Sequence, residues 1–197
     1  MAARRSGGYS LLELLFVMGL IVTLAAATLP LFGSALAQGR ASGAARYLQA
    51  RLQLARMEAL KRSAHVGMRV QSSASDYRYA CYVDGNANGV RTADISAGTD
   101  PMIGATERLD QQFPGVTFGV LDGVTPIEAG DELTPGGDPI RFGRSDIISF
   151  TPIGTSTAGT LYLAGRGRQQ YAVRVLGVTG RVRVLRFDFG RRKWVVQ

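Results

Sequence analysis

Few side chains in this 197-residue chain could carry out chemistry. It has one cysteine, Cys81, and one histidine, His65, which are too few for a disulfide framework or for a conventional structural zinc site. Neither has a partner at a spacing typical of nucleophilic catalysis, and residues 165–168 (GRGR) lack the third glycine of a dinucleotide-binding loop. We therefore predict a protein that is not an enzyme and needs no cofactor, with Cys81 and His65 in structural roles.

One acidic segment has part of the pattern of a cation site. Asp84, Asn86 and Asn88 match the first half of a D-x-N-x-N-G calcium loop, and Asp94 adds a carboxylate. Position twelve of such a loop needs a bidentate carboxylate, but this chain has Ile95 there. Asn, Asp and Gly also form tight turns through side-chain to main-chain hydrogen bonds. We therefore predict a turn and no metal, with a calcium loop as the alternative.

Basic residues are concentrated at the C-terminal end of the chain. The formal net charge of the whole chain is +8. Residues 65–164 contain six basic and twelve acidic residues, whereas residues 165–197 contain nine basic residues and one acidic residue. Alternating arginines on strands are typical of a solvated sheet face, but phosphate groups also attract such clusters, so DNA binding is an alternative hypothesis. Its candidate residues are Arg166, Arg168, Arg181, Arg183, Arg186, Arg191, Arg192 and Lys193.

An apolar segment near the N-terminus is long enough to span a membrane. No charge occurs in the 26 residues from Leu14 to Gly39, and a helix of about 20 apolar residues crosses the hydrocarbon core of a bilayer. Arg4 and Arg5 precede it, which predicts a cytoplasmic N-terminus and a translocated remainder. A secretory signal cleaved at Ala37 is the alternative, but this apolar run exceeds the roughly 7–15 residues usual for such signals.

Glu13 is a carboxylate at the edge of this apolar segment, where it needs a partner because an unpaired charge is penalised near lipid. Residues 7–15 (GGYSLLELL) resemble the processing site of type IV pilins and of the pseudopilins of type II secretion. The resemblance implies cleavage by prepilin peptidase between Gly8 and Tyr9, N-methylation of Tyr9, and a role for Glu13 in assembly. Pro30 lies where the helix of this family carries a proline, and it should kink the helix.

Residues 39–64 predict an amphipathic continuation of the same helix. Leu48, Leu52, Ala55 and Ala59 recur at i, i+4, i+7 and i+11 and therefore share one face. This face should pack on a sheet. The basic residues between them should be solvated or contact neighbouring subunits; they are Arg40, Arg46, Arg51 and Arg56.

Beyond His65, short runs of β-branched and aromatic residues alternate with Gly, Pro, Asn and Asp, a pattern typical of strands. In residues 76–83, alternation places Tyr77, Tyr79, Cys81 and Val83 on one face, which favours a buried Cys81. The high content of Gly, Pro and acidic residues in 122–138 predicts an exposed loop. The predicted strands are 65–72, 76–83, 114–121, 139–151, 159–164, 170–177, 181–188 and 193–196.

The C-terminal part is similar to the closing block of the GspH/FimT group of minor pilins and pseudopilins. The similarity lies in residues 148–154, 161–163, 171–175 and 180–183, and residues 97–140 carry little of it. It implies an α+β, pilin-like fold, in which a long helix, transmembrane in its first half and amphipathic in its second, packs on an antiparallel β domain. The implied organisation is a leader at 1–8, a transmembrane and assembly helix at 9–38, its continuation at 39–64 and a periplasmic β-rich domain at 65–197.

The function implied by this resemblance is that of a minor subunit near the tip of a type II secretion pseudopilus or a type IV pilus. Such a subunit is a single-pass inner-membrane protein that aids filament initiation and protein secretion. Its expected partners are prepilin peptidase, other pilins or pseudopilins, the inner-membrane assembly platform and secreted cargo. DNA uptake through the basic residues is the alternative. The two filament systems share these sequence features, so both remain open at this stage.

Overall fold

The structure, a computed structural model, describes residues 9–73, 76–128 and 132–197, except for the side chains of residues 27–32 and of Asp76. Helix α1 comprises Leu11–Arg62. The chain divides between Leu36 and Ala37 into two compact units, so that α1 contributes to both. No helix in the described part of the chain combines the length and the apolarity needed to cross a bilayer.

The second unit adds an antiparallel β domain to the C-terminal part of α1. Its elements are β1 Val66–Ser73, β2 Asp76–Val83, α2 Thr92–Ala97, β3 Met102–Arg108, α3 Leu109–Gln112, β4 Val116–Phe118, β5 Ile140–Arg141, β6 Ile147–Phe150, β7 Gly159–Gly165, β8 Gln169–Leu176, β9 Arg181–Asp188 and β10 Lys193–Val196. Among the described residues, one sheet has the strand order β3-β2-β1-β6. The other has the order β10-β9-β8-β7-β4, and β5 also pairs with β7.

The apolar stripe of α1 forms the centre of the main core, as the sequence predicts. Its members Leu48, Leu52, Ala55 and Ala59 are all buried. They share one cluster with residues of β1, β2 and β6 from the first sheet and of β7, β8 and β9 from the second. The helix therefore stabilises both sheets at once, and the amide of Gln49 adds a hydrogen bond of 3.0 Å to the carbonyl oxygen of Val182 on β9.

A second, smaller core lies on the other face of the second sheet. Tyr162 of β7 and Leu185 and Phe187 of β9 are buried there against Val120 and Val124 of the irregular segment that follows β4. Ile127 and Leu133 pack on the same cluster. The prediction that residues 122–138 form an exposed loop is therefore wrong for Val124, Ile127 and Leu133, which cover this face of the sheet.

Most predicted strands are confirmed, but three departures have clear physical causes. The predicted strand 139–151 is two short strands, β5 and β6, because the chain turns between them with left-handed conformations at Gly143 and Asp146. The predicted strand 114–121 shortens to β4: the N–H of Gly119 still donates to the carbonyl oxygen of Tyr162 on β7 at 3.1 Å, but Val120 turns into the second core. Strand β3 was not predicted, because it is an edge strand with mostly exposed side chains and little alternation.

Candidate functional site

The N-terminal end of α1 is fixed by Ser10. Its hydroxyl oxygen accepts the main-chain N–H of Glu13 at 3.2 Å, and its carbonyl oxygen accepts the N–H of Leu14 at 3.1 Å. Ser10 and Glu13 thus have the spacing of a capping box, and Glu13 lies in the first turn, where the helix dipole favours a carboxylate. Sequence reasoning missed Ser10, although the S-x-x-E spacing was available as a signal.

The first unit presents an apolar helical surface on its described side chains. Tyr9 is 79% exposed, and large apolar side chains from Leu11 to Leu24 are exposed as well. The hydroxyl of Thr23 donates to the carbonyl oxygens of Gly19 and Leu20, at 3.0 and 2.9 Å, so that this polar group is satisfied within the helix. A helix that is apolar around its circumference is suited to lipid or to packing among other helices.

Two predicted features of the N-terminal region fall outside what the structure describes. Gly8, on one side of the predicted cleavage point, lies outside the described residues, as does the side chain of Pro30. Cleavage, methylation of Tyr9, the assembly role of Glu13 and the kink at Pro30 therefore stay predictions.

Five of the eight candidate DNA-contacting residues lie at one end of the second sheet. Arg166 and Arg168 are in the turn between β7 and β8, and residues 191–193 are at the turn between β9 and β10. The guanidinium carbon of Arg168 lies 4.5 Å from the centre of the Phe189 ring, which makes the two turns neighbours.

The other three residues lie elsewhere, so the candidate DNA-contacting residues do not form one surface. Arg181 and Arg183 are exposed near the opposite end of β9, about 20 Å away along an eight-residue strand at ~3.3 Å per residue. Arg186 is half-buried, pairs in register with Tyr171, and lies on the same face of β9 as Val182 and Val184 of the main core.

Two arginines of α1 are part of the folded domain, which corrects the prediction that they are solvated or contact other subunits. Arg51 forms an ion pair of 2.5 Å with Glu107 on β3. The same carboxylate accepts the hydroxyl of Tyr47 and the amide of Gln112, the latter at 3.2 Å. Arg56 packs beside Gly154 and Gly180. The carboxylate of Glu107 therefore holds α1 to the edge of the first sheet.

The acidic segment after β2 is organised by its own main chain. One oxygen of Asp84 accepts the N–H groups of Asn86 and Asn88 at 3.1 and 3.3 Å, and the other accepts that of Gly89 at 2.7 Å. Burial alone would raise the pKa of Asp84, but these main-chain donors together outweigh it and hold the pKa below its ordinary value. This is the side-chain to main-chain bonding of a turn.

Asp100 completes this loop and was missed by sequence reasoning. It is buried, and its two oxygens accept the N–H groups of Gly85 at 3.1 Å and Arg91 at 3.0 Å. Asp94 lies in α2, where its carbonyl oxygen accepts N–H groups from Thr99 and Asp100. Across the described residues, no group of three or more His, Cys, Asp or Glu side chains is arranged to hold a metal ion.

The single cysteine and histidine have structural surroundings. Cys81 is a free, buried thiol in the main core, and its burial raises its pKa, which disfavours the reactive thiolate. His65 is half-buried between α1 and β1, where its carbonyl oxygen accepts the N–H of Asp84 at 2.9 Å.

Comparison with known proteins identifies the family of this domain. The model of a family described as type II transport protein GspH matches residues 44–180, more than two thirds of the chain. The chain belongs to the GspH family. The resemblance to the GspH/FimT group drawn from residues 148–183 is thereby confirmed, and of the two filament systems that the sequence left open, the family's description names type II transport.

Two solved structures of the minor pseudopilin EpsH from the type II secretion system of Vibrio cholerae are similar to this GspH-family chain. One is 17% identical, with a TM-score of 0.46, and the match covers 75% of this chain and 97% of that one. The other is 14% identical, with a TM-score of 0.41, and the match covers 81% of this chain and 94% of that one. No curated protein matches the sequence significantly.

The GspH match does not include every candidate residue. Its range contains Arg51 and Arg56 of α1, the acidic loop and the turn between β7 and β8. Tyr9 and Glu13 lie before it, and Arg181 to Lys193 lie after it. Family membership therefore identifies the domain and leaves the roles of both ends of the chain to be tested.

Proposed function

We propose that this GspH-family chain is a minor subunit of a type II secretion pseudopilus, cleaved between Gly8 and Tyr9 and N-methylated at Tyr9. The observation that carries the proposal is Glu13, a carboxylate in the first turn of an exposed, apolar helix that begins two residues after the predicted cleavage point. The description of the family as type II transport proteins favours a secretion pseudopilus over a type IV pilus.

The chemistry of assembly follows from the charges at this end of the chain. Cleavage would leave a cationic amine on Tyr9, and Glu13, in the first turn of α1, supplies the counter-charge within the helix or to a neighbouring subunit. Opposite charges attract far more strongly in a low-dielectric environment than in water, and an unpaired one is penalised. Docking of each subunit among other apolar helices is therefore favoured when the pair forms.

The same helix serves two purposes in this proposal. Before assembly the uncharged segment 14–39 anchors the chain in the inner membrane, with a cytoplasmic N-terminus and a periplasmic β domain. After assembly it packs in the filament core, near the tip, where the subunit helps to initiate the filament and contacts secreted cargo. Prepilin peptidase, other pseudopilins and the inner-membrane assembly platform are the partners that these steps require.

Mass spectrometry of the N-terminus tests the processing step. In cells that carry prepilin peptidase, we expect the mature chain to begin with N-methylated Tyr9, because residues 7–15 resemble the processing site of prepilins. The matched control is the same chain in cells without the peptidase, where it should retain its leader. A mature chain that begins at Gln38 in cells with the peptidase would mean that the segment is a secretory signal, and the proposal would fail.

DNA binding is a second candidate function, favoured by one pair of arginines. Arg181 and Arg183 lie two residues apart on β9, so their side chains leave the same face of the strand, and both are exposed. Neither forms an ion pair with any residue that the structure describes, whereas Arg174, in register with Arg183, is paired with Glu128. Two unpaired guanidinium groups on one face are suited to adjacent phosphates.

A salt titration of DNA binding tests this candidate with the full chain in detergent. If the pair contacts phosphates, replacing Arg181 and Arg183 by alanine should weaken binding to duplex DNA. It should also reduce the slope of log K against log salt by about 1–2, close to one per phosphate contact. The control is the Arg191→Ala, Arg192→Ala variant, which removes equal charge at the other end of the sheet. Equal losses in both variants would exclude a site at Arg181 and Arg183.

A further inference from the structure

Strand β10 forms one edge of the second sheet and is held firmly in place. The indole N–H of Trp194 donates to the carbonyl oxygen of Thr125 at 2.8 Å. Its ring packs against Phe187 and Tyr162, with ring centroids 5.1 and 5.8 Å apart. An edge strand that is already ordered loses little conformational entropy when another chain pairs with it.

The hydrogen-bond register shows which main-chain groups of β10 face away from the sheet. The N–H of Gln197 donates to the carbonyl oxygen of Val184 on β9. Val195, two residues earlier, lies opposite Arg186, so its N–H and C=O groups also face β9. Since hydrogen-bonding direction alternates along an antiparallel strand, the N–H and C=O groups of Trp194 and Val196 point outwards. Among the described residues, no main-chain hydrogen bond from outside the sheet reaches them.

The side chains along this edge combine exposed apolar groups with a local excess of positive charge. Val195 is 39% and Val196 is 58% exposed. Arg191, Arg192 and Lys193 lie exposed where the strand begins, and none of them forms an ion pair with a described residue. The nearby carboxylate of Asp188 accepts the main-chain N–H groups of Gly190 and Arg191 and so stabilises the turn between β9 and β10.

We infer that the free edge of β10 binds an extended, acidic segment of another protein, which adds to the sheet as a further strand. Main-chain hydrogen bonds to Trp194 and Val196 provide the pairing, and residues 191–193 select for acidic side chains. This goes beyond the proposed function, because it assigns an interaction surface that neither processing of the leader nor filament assembly requires.

Charge distinguishes this occupant from a second copy of the same chain. Two β10 edges paired together would place residues 191–193 of both copies within the ~13 Å length of a four-residue strand. Lysine and other charges on an edge strand are a known means of preventing such self-pairing. The cations that repel a second copy attract an acidic partner.

Trp194 supplies the readout for a direct test, because it is the single tryptophan of the chain and lies on the edge strand itself. The full chain in detergent is titrated with a short capped peptide of alternating glutamate and valine, and Trp194 emission is recorded. We expect a saturable change with this peptide that is lost with a lysine and valine peptide of equal length. It should weaken as salt is added.

The decisive variant is Val196→Pro. Proline removes the outward N–H at position 196, which makes no bond to β9, and an edge strand tolerates the ring at such a position. We expect about tenfold weaker peptide binding with an unchanged unfolding transition, because the incoming strand loses a main-chain bond and meets the ring. Val196→Thr keeps both the N–H and the β-branched shape, and should bind like the original chain.

Four results would overturn the inference. They are no saturable change in Trp194 emission, equal binding of the basic peptide, peptide affinity that is unaffected by Val196→Pro, and displacement of the peptide by duplex DNA. If Val196→Pro disturbs folding, a peptide N-methylated at alternate residues replaces it, and undiminished binding of that peptide would equally exclude strand addition. Neither readout depends on cleavage at Gly8, so failure here is separable from failure of the proposed function.

Discussion

Replacing Leu52 by alanine should lower the free energy of unfolding of the β domain by about 2–5 kcal/mol, the range for large-to-small changes in a packed core. Leu52 is completely buried, and it belongs to the cluster in which α1 meets both sheets. Truncation removes apolar contact and leaves a cavity that neither sheet can fill without breaking its ladder. Denaturant titration of the full chain in detergent, followed by Trp194 emission, measures the effect.

Leu54→Ala is the matched control, since it makes the same chemical change two residues along the same helix. Leu54 is 52% exposed, so its truncation should change the free energy of unfolding by no more than about 0.5 kcal/mol. Similar losses in both variants would mean that α1 does not present its Leu48–Ala59 face to the sheets. A larger loss for Leu54 would reverse the assignment of the two faces.

The success of this helix prediction has a simple physical origin. Leu48, Leu52, Ala55 and Ala59 lie on one face because the helical period alone determines it, and a single apolar face must be buried. Strands with clear alternation and turn residues at both ends, such as β8 and β9, are predictable for the same reason. In each case local sequence and tertiary packing favour the same structure.

Other elements depend on contacts that no local pattern encodes. Strand β3 has mostly exposed side chains, and it forms because β2 offers it an edge. The apolar residues Val124 and Ile127 look like scattered residues of a loop, yet they cover the second sheet. Helices α2 and α3 contain six and four residues, too few to show a period.

The candidate site was predictable in composition but not in arrangement. Counting charges identified the basic C-terminal segment, whereas the strand register separated Arg181 and Arg183 from residues 191–193 at the other end of β9. Arg51 looked like a solvated helix residue because its partner, Glu107, lies 56 positions away on a strand that was not predicted. Ser10 differs from these cases, since its capping of Glu13 is local and could have been predicted from spacing.

Glu13→Gln should sharply reduce incorporation of the chain into filaments without affecting cleavage after Gly8. The change removes the carboxylate charge but keeps the main-chain N–H that Ser10 accepts, so the start of α1 is preserved. Leaving the Tyr9 amine unpaired among apolar helices costs about 3–5 kcal/mol, which corresponds to a loss of about two to four orders of magnitude in docking. The ratio of the chain in sheared filaments to that in membranes measures the effect.

Glu58→Gln is the control that separates loss of the assembly pair from loss of any negative charge on α1. Glu58 is paired at 2.7 Å with Arg62 on the same helix, and ion pairs that lie in solvent, as this one does, contribute little to stability. Its neutralisation should leave incorporation unchanged. Equal loss of incorporation in both variants would indicate a general charge effect. Normal incorporation of Glu13→Gln, with Tyr9 correctly processed, would mean that the Tyr9 amine needs no partner from this residue, and that Glu13 serves only the first turn of the helix.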